Sequence, residues 1–186
     1  GIVADMPVSA PVLRATMTRV SEVMRCESQM LALLPHEASL TMNALARASY
    51  CDVPLLVRLA DALLRAPRSS WSAQDIVRVT DAMVRLQLSE VAALRDLDLA
   101  SRLQEELLAM PAGALGARGL ASIAYAANNF TDLDNQPFWA RIVAEAHAVD
   151  PASYAEGSIS LLASVLTRPT ASAAKSSAAA ASSLAA

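Results

Sequence analysis

LTMNALARASY, residues 40–50, is the first of four stretches that read as one element repeated. IVRVTDAMVRLQL (76–88), LASIAYAANNF (120–130) and ISLLASVL (159–166) follow it. Each opens on a large aliphatic residue, Leu40, Ile76, Leu120 or Ile159, and continues with small and apolar residues at helical spacing. The openings lie 76−40 = 36, 120−76 = 44 and 159−120 = 39 residues apart. Second apolar helices sit between them, LLVRLADALL from Leu55 and FWARIVAEA from Phe138. Helix pairs recurring at about 40 residues signal an α-solenoid, because no single pair can bury its apolar face alone. The expected fold is therefore all-α, an α-solenoid of antiparallel helix pairs with a period of about 40 residues.

Working outward, three regions are expected: an extended lead-in at 1–11, a helical-repeat domain at 12–168 and a Ser/Ala-rich tail at 169–186. The nine prolines punctuate the pattern. Pro35, Pro67, Pro111, Pro151 and Pro169 fall between helices, while Pro54 and Pro137 fall in first turns, where a missing N–H costs nothing. Val12 to Leu34 reads as one long helix or two short ones, with Val12, Thr16, Val20, Val23, Met24, Met30, Leu31 and Leu34 on a broad apolar face. Asp52 is a candidate N-cap for a helix from Val53 to Arg65. Ser72-Ala73-Gln74-Asp75 resembles a capping box for a helix reaching about Leu88. Leu94 to about Ala109 reads as one further helix. Asn128-Asn129 is expected to end the third first-helix, with an acidic turn at 131–135 after it. The final helix, Tyr154 to Leu166, has no partner before Pro169 and needs a cap.

Composition narrows the class. The 186 residues are 54% apolar but only 4% aromatic, and much of the apolar share is alanine. Alanine gives good helices and close packing but little buried area per residue. Five glycines and few β-branched runs argue against a β-rich fold. No apolar run has the length and character of a membrane span, so no membrane partner is expected. Cys26 and Cys51 make no disulfide framework and suit a reducing compartment or an organellar matrix. The chain begins at Gly1 rather than Met, which fits a processed form or a fragment.

Charge is uneven. Residues 1–93 carry nine Arg and nine acids, whereas 94–186 carry five Arg and one Lys against nine acids, giving the net −3. The stretch from Arg58 to Arg85 holds five Arg against three Asp, a local +2. Arg58, Arg65, Arg68, Arg78 and Arg85 either form a basic ridge able to contact an RNA backbone or pair with acids on solvated helix faces.

No catalytic constellation stands out, and no cofactor or metal is expected. His36 and His147 are distant in sequence, and His36-Glu37 lacks the second histidine of a zinc helix because position 40 is leucine. Gly113 to Gly119 is glycine-spaced but follows no strand and lacks a phosphate-loop lysine; it reads as a flexible opening to a repeat. Glu105-Glu106 with Asp96 and Asp98 reads as a solvated acidic face or a site for a basic tail. Tyr50, Trp71, Phe130 and Trp139 stand at helix junctions, where packing between helices competes with base stacking.

The pattern NALARASYCDVPLLVRLADALL, Asn43 to Leu64, resembles the helical repeats of organellar RNA-metabolism proteins, the octotricopeptide and heptatricopeptide repeats and the arrays of FAST-kinase-like, RAP-domain proteins. IAYAANNFTDLDNQPFWARIVAEA, Ile123 to Ala146, is the next match, and the resemblance covers about Pro35 to Leu166. It implies a mitochondrial-matrix or plastid protein acting around RNA. Such arrays also serve as structural subunits of divergent mitochondrial ribosomes. The array here is short and slightly acidic, and no RNA-reading residues are carried over. The expected role is a non-catalytic scaffold in a large organellar ribonucleoprotein, a mitochondrial ribosome or its assembly intermediate. Its partners would be other protein subunits, with RNA contacted through the basic ridge. The alternatives are an organellar RNA-binding factor for processing, editing or stability, and a structural subunit of a non-RNA mitochondrial complex.

Overall fold

The computed structural model describes residues 10–24, 33–88, 91–127 and 136–166, and among these every regular element is helical. Helix α1 is Ala10–Met24, α2 is Pro35–Arg47, α3 is Val53–Arg65 and α4 is Ala73–Arg85. The short α5 is Ala92–Arg95, α6 is Leu99–Ala109, α7 is Gly116–Ala127, α8 is Gln136–Ala148 and α9 is Glu156–Leu166. A single 3-10 turn, Pro151–Ser153, leads into α9.

Local chemistry sets most helix starts. The Glu37 carboxylate accepts the Leu34 N–H at 3.0 Å, and Pro35 fills the first position of α2. Asp52 caps α3 by accepting the Leu55 N–H at 3.1 Å. Ser72 and Asp75 form the full capping box of α4: Ser72 Oγ accepts the Asp75 N–H at 3.2 Å, and Asp75 accepts the Ser72 N–H at 3.0 Å. Each such cap contributes about 1 kcal/mol.

Several expected boundaries move. Helix α1 begins two residues before Val12, so the lead-in is shorter than 1–11; residues 1–9 lie outside the described set. Helix α4 stops at Arg85 rather than near Leu88, where Gln87 turns to φ 51°. The expected helix from Leu94 to Ala109 is broken: α5 ends at Arg95, and α6 begins after Asp98, which adopts φ 54°. A left-handed residue interrupts the i→i−4 ladder, and a short aspartate tolerates that conformation better than most. Asn128-Asn129, the acidic turn at 131–135, Cys26 and the tail 169–186 lie outside the described residues.

Helices α2, α4, α7 and α9 pack successively in one row, and α3, α6 and α8 in a second. The rows join through α2 with α3, α4 with α6, and α7 with α8. The core lies between them. Leu55, Leu59, Leu103, Leu107, Phe138 and Ile142 enter from the second row, and Met42, Leu45, Ile76, Val79, Leu120 and Ile123 from the first. All twelve are essentially inaccessible, which is the dominant favourable term in the fold.

The aliphatic openings are not one buried position. Ile76 and Leu120 are fully buried, but Leu40 is 48% exposed and Ile159 is 53% exposed. The buried face of α2 is Ala38, Ser39, Met42, Leu45 and Ala46, so Ser39 rather than Leu40 stands where Ile76 stands in α4. A similar slip affects α9, where Leu162 is buried. Small residues tolerate the slip because an alanine-rich helix presents little to distinguish adjacent faces. Helix α1 also departs from expectation: Met17 rests on the core and Ser21 is buried, while Val12, Val20 and Val23 face solvent. Leu34 is exposed, and Met30 and Leu31 are outside the described residues.

Candidate interaction surface

Two buried ion pairs recur at equivalent places. In α6, Arg102 Nη2 lies 2.7 Å from Glu106 Oε1, with side chains 9% and 1% exposed. Arg102 donates to the carbonyls of Ala66 and Pro67 at 2.9 and 2.8 Å. Glu106 accepts the N–H groups of Ser69 and Trp71 at 2.9 and 3.4 Å. In α8, Arg141 pairs with Glu145 in the same i,i+4 relation. Arg141 donates to the Pro111 carbonyl, and Glu145 accepts the Gly113 N–H, both at 2.8 Å. Each pair thus clasps the loop that follows the preceding second-row helix. The two clasps are 141−102 = 39 residues apart.

These groups were misread or missed in the sequence. Glu106 is not on a solvated acidic face; it is 2% exposed and spent on backbone N–H groups, whereas Glu105 is exposed and pairs with Arg68. The signal was present as an arginine after a buried apolar residue, with a glutamate four residues on: LASRLQEEL and FWARIVAEA. In α3 the matching segment, LLVRLADAL, keeps Arg58 but has Ala62 in the glutamate's place.

An open cleft of about 390 Å³ lies on the first row between α2, α4 and α7. Ala73, Val77, Leu115 and Gly119 make its floor, and Asn43, Gln74, Arg78, Arg118 and Asp81 stand around it. Gly119 is required by close approach: a Cβ there would lie 2.9 Å from Val77 Cγ2. The glycine-spaced segment is therefore a packing contact between α4 and α7, in addition to a turn at Gly113 and Gly116, where φ is 87° and 62°.

Asp75 and Asp81, two turns apart on α4 and its flank, differ in environment. Burial alone would raise the Asp75 carboxyl, but hydrogen bonds from the Ser39 and Ser72 hydroxyls and the Ser72 N–H, with His36 nearby, outweigh it and hold it below the ordinary value. The Ser39 bond is 2.6 Å and ties α2 to α4. Burial pushes the Asp81 carboxyl above the ordinary value, more than Arg85, the Ser122 hydroxyl and Arg118 draw it back.

The five arginines expected to form one ridge are divided between the rows. Arg58 and Arg65 are on α3, where Arg65 pairs with Asp61 at 2.8 Å, and Arg68 is in the following loop beside Glu105. Arg78 and Arg85 are on α4 in the first row. Arg78 reaches His36 Nδ1 at 3.2 Å and Asp75 at 3.4 Å. Arg118 of α7, not singled out in the sequence, joins Arg78 at the cleft, and Arg85 lies within electrostatic reach through Asp81. Tyr125 sits on the same α7 face, seven residues after Arg118, and is exposed.

The other rings serve packing. Trp71 is 3% exposed, Tyr50 packs against the core, and Trp139 meets Phe138 edge to face at 5.9 Å and 86°. Phe130 lies outside the described residues. Among the described residues, no group of three or more His, Cys, Asp or Glu has a metal-binding arrangement, and no helix is long and apolar enough to cross a membrane. Comparison with protein-family models, with curated proteins and with solved structures finds no match to this chain.

Proposed function

We propose that the two rows are the stacked antiparallel pairs of a short α-solenoid with a period near 40 residues, and that the chain is a non-catalytic scaffold subunit of a large organellar ribonucleoprotein, a mitochondrial ribosome or its assembly intermediate. The observation that carries this reading is the recurring Arg-x-x-x-Glu clasp. Arg102–Glu106 and Arg141–Glu145 spend buried charge on holding inter-helix loops, the investment of a module whose product is shape. The mitochondrial matrix is part of the proposal and rests on the resemblance of Asn43–Leu64 and Ile123–Ala146 to organellar repeats.

Native affinity purification of the tagged chain, with and without RNase, followed by mass spectrometry, tests the proposal. Ribosomal proteins retained after RNase are the expected result. Retention of partners from an RNA-free complex instead would refute it. A second reading, an organellar RNA-binding factor, is favoured by Arg78, Arg85 and Arg118 gathering on the first row. On that reading all partners depart with RNase, and RNA affinity of the purified chain falls steeply with salt.

A further inference from the structure

We propose that the cleft between α2, α4 and α7 holds an extended acidic segment of a partner protein. The inference rests on the scaffold reading and names the place and chemistry of one docking contact. The cleft, about 390 Å³, is at the small end of the roughly 300–1,000 Å³ typical of ligand pockets, which suits a few residues of extended chain.

Its lining has the three chemistries that a peptide presents. Asn43 and Gln74 each offer an amide donor and acceptor, the complement of a peptide C=O and N–H. Val77 and Leu115 supply an apolar floor for a small side chain. Arg78 and Arg118 supply guanidinium groups, which take carboxylates in charge-assisted bonds. With Asp81 the only acid in the lining, the cleft carries a net +1 in a chain of net −3. The Gly119–Val77 approach fixes the floor, so the segment meets a formed site and orders little of the host.

The same features favour peptide over RNA. A phosphate backbone has no use for the apolar floor and would meet the Asp81 carboxylate at the middle of the site. None of the lining residues is aromatic, so the cleft has no platform for stacking a base.

The test selects random short peptides displayed on phage against the full chain, with Ala114→Trp as the parallel bait. Ala114 is exposed in the loop before α7 and lines the cleft, so the indole fills the site without entering the core. Recovered peptides, made with a fluorescein label, are then titrated by anisotropy against the wild type, A114W and R118E, with labelled oligouridine as the RNA probe. Arg118 is exposed, so R118E keeps the test open should A114W fail to fold. The expected result is enrichment of acidic peptides on the wild type alone, with binding about tenfold weaker in R118E, the scale of one lost charge-assisted bond. Recovery of no peptides, recovery on both baits, basic peptides, or affinity unchanged by R118E overturns the proposal. Oligouridine that displaces the peptides and is itself lost in R118E also overturns it, in favour of RNA. A chain that keeps its RNase-resistant partners while selection yields nothing sinks the cleft and spares the scaffold. Loss of those partners with cleft peptides intact does the reverse.

Discussion

Replacing Glu106 by alanine should be among the most damaging single changes in this fold that removes no core hydrocarbon. The carboxylate is 2% exposed and accepts from Ser69 N–H, Trp71 N–H and Arg102. In E106A the Arg102 guanidinium stays buried, still held by the Ala66 and Pro67 carbonyls but without its counter-charge. Breaking a buried pair from one side costs about 3–5 kcal/mol, because the remaining charge is uncompensated. Ser69 is exposed and can turn its N–H to water, so the backbone adds little beyond the Trp71 amide. Against a total stability of about 5–15 kcal/mol, the loss moves the unfolding midpoint far to lower denaturant. Urea unfolding followed by helical ellipticity and tryptophan fluorescence measures it, with R102A and the double variant completing a cycle. The double variant should cost little more than E106A alone, since no lone charge is left, with a coupling of about 1–3 kcal/mol. A loss in E106A below about 1 kcal/mol, or a double variant equal to the sum of the singles, would refute the clasp as described.

Three further outcomes follow from local geometry. Gly119→Ala drives a Cβ to 2.9 Å from Val77 Cγ2 and should cost about 1–3 kcal/mol, with V77A/G119A more stable than G119A in the same unfolding assay. Asp52→Ala removes the cap on the Leu55 N–H and should cost about 1 kcal/mol, read as a drop in melting temperature. The two carboxylates of α4 should act oppositely with pH. Asp75 is depressed, so its contribution is present above the ordinary aspartate value and is lost as pH falls through its lower folded value; Asp75→Asn should remove that acid-side loss. Asp81 is raised, so the fold gains stability as pH falls through its higher folded value; D81N should abolish that gain. Urea midpoints measured from neutral pH down through the carboxylate range check both, and an unchanged profile in either variant would count against the assigned environment.

The helices were legible because their signals are short. Asp52, Ser72 with Asp75, Pro54 and Pro137 act within one helical turn, and each stands where the pattern placed it. The break at Asp98 was not legible, since LRDLDLASRLQEEL has an unbroken apolar period and only the backbone turn at φ 54° divides it. The candidate site was half legible. Arg78 and Arg85 were identified from local charge density, but Arg118 lies outside the dense stretch and reaches Asp81 only through α4–α7 packing. Arg65 and Arg68 looked equivalent to them in sequence but pair with Asp61 and Glu105 across the other row.

By itself, the amino-acid order determined that this chain is helical, where most helices begin, and that small residues would let them pack closely. Those properties depend on hydrogen bonds and steric preferences within three or four residues. The tertiary structure decided which face of each helix is buried, that Leu40 and Ile159 face water, and that Glu106 and Glu145 are clasps rather than surface charge. It alone assembled Asn43, Gln74, Arg78 and Arg118 around one cleft. The physical reason is separation: Ser39 meets Asp75, Ser69 meets Glu106, and Gly113 meets Glu145 across 36, 37 and 32 residues. At such distances, no local rule chooses among chemically equivalent partners; the packing of the rows does.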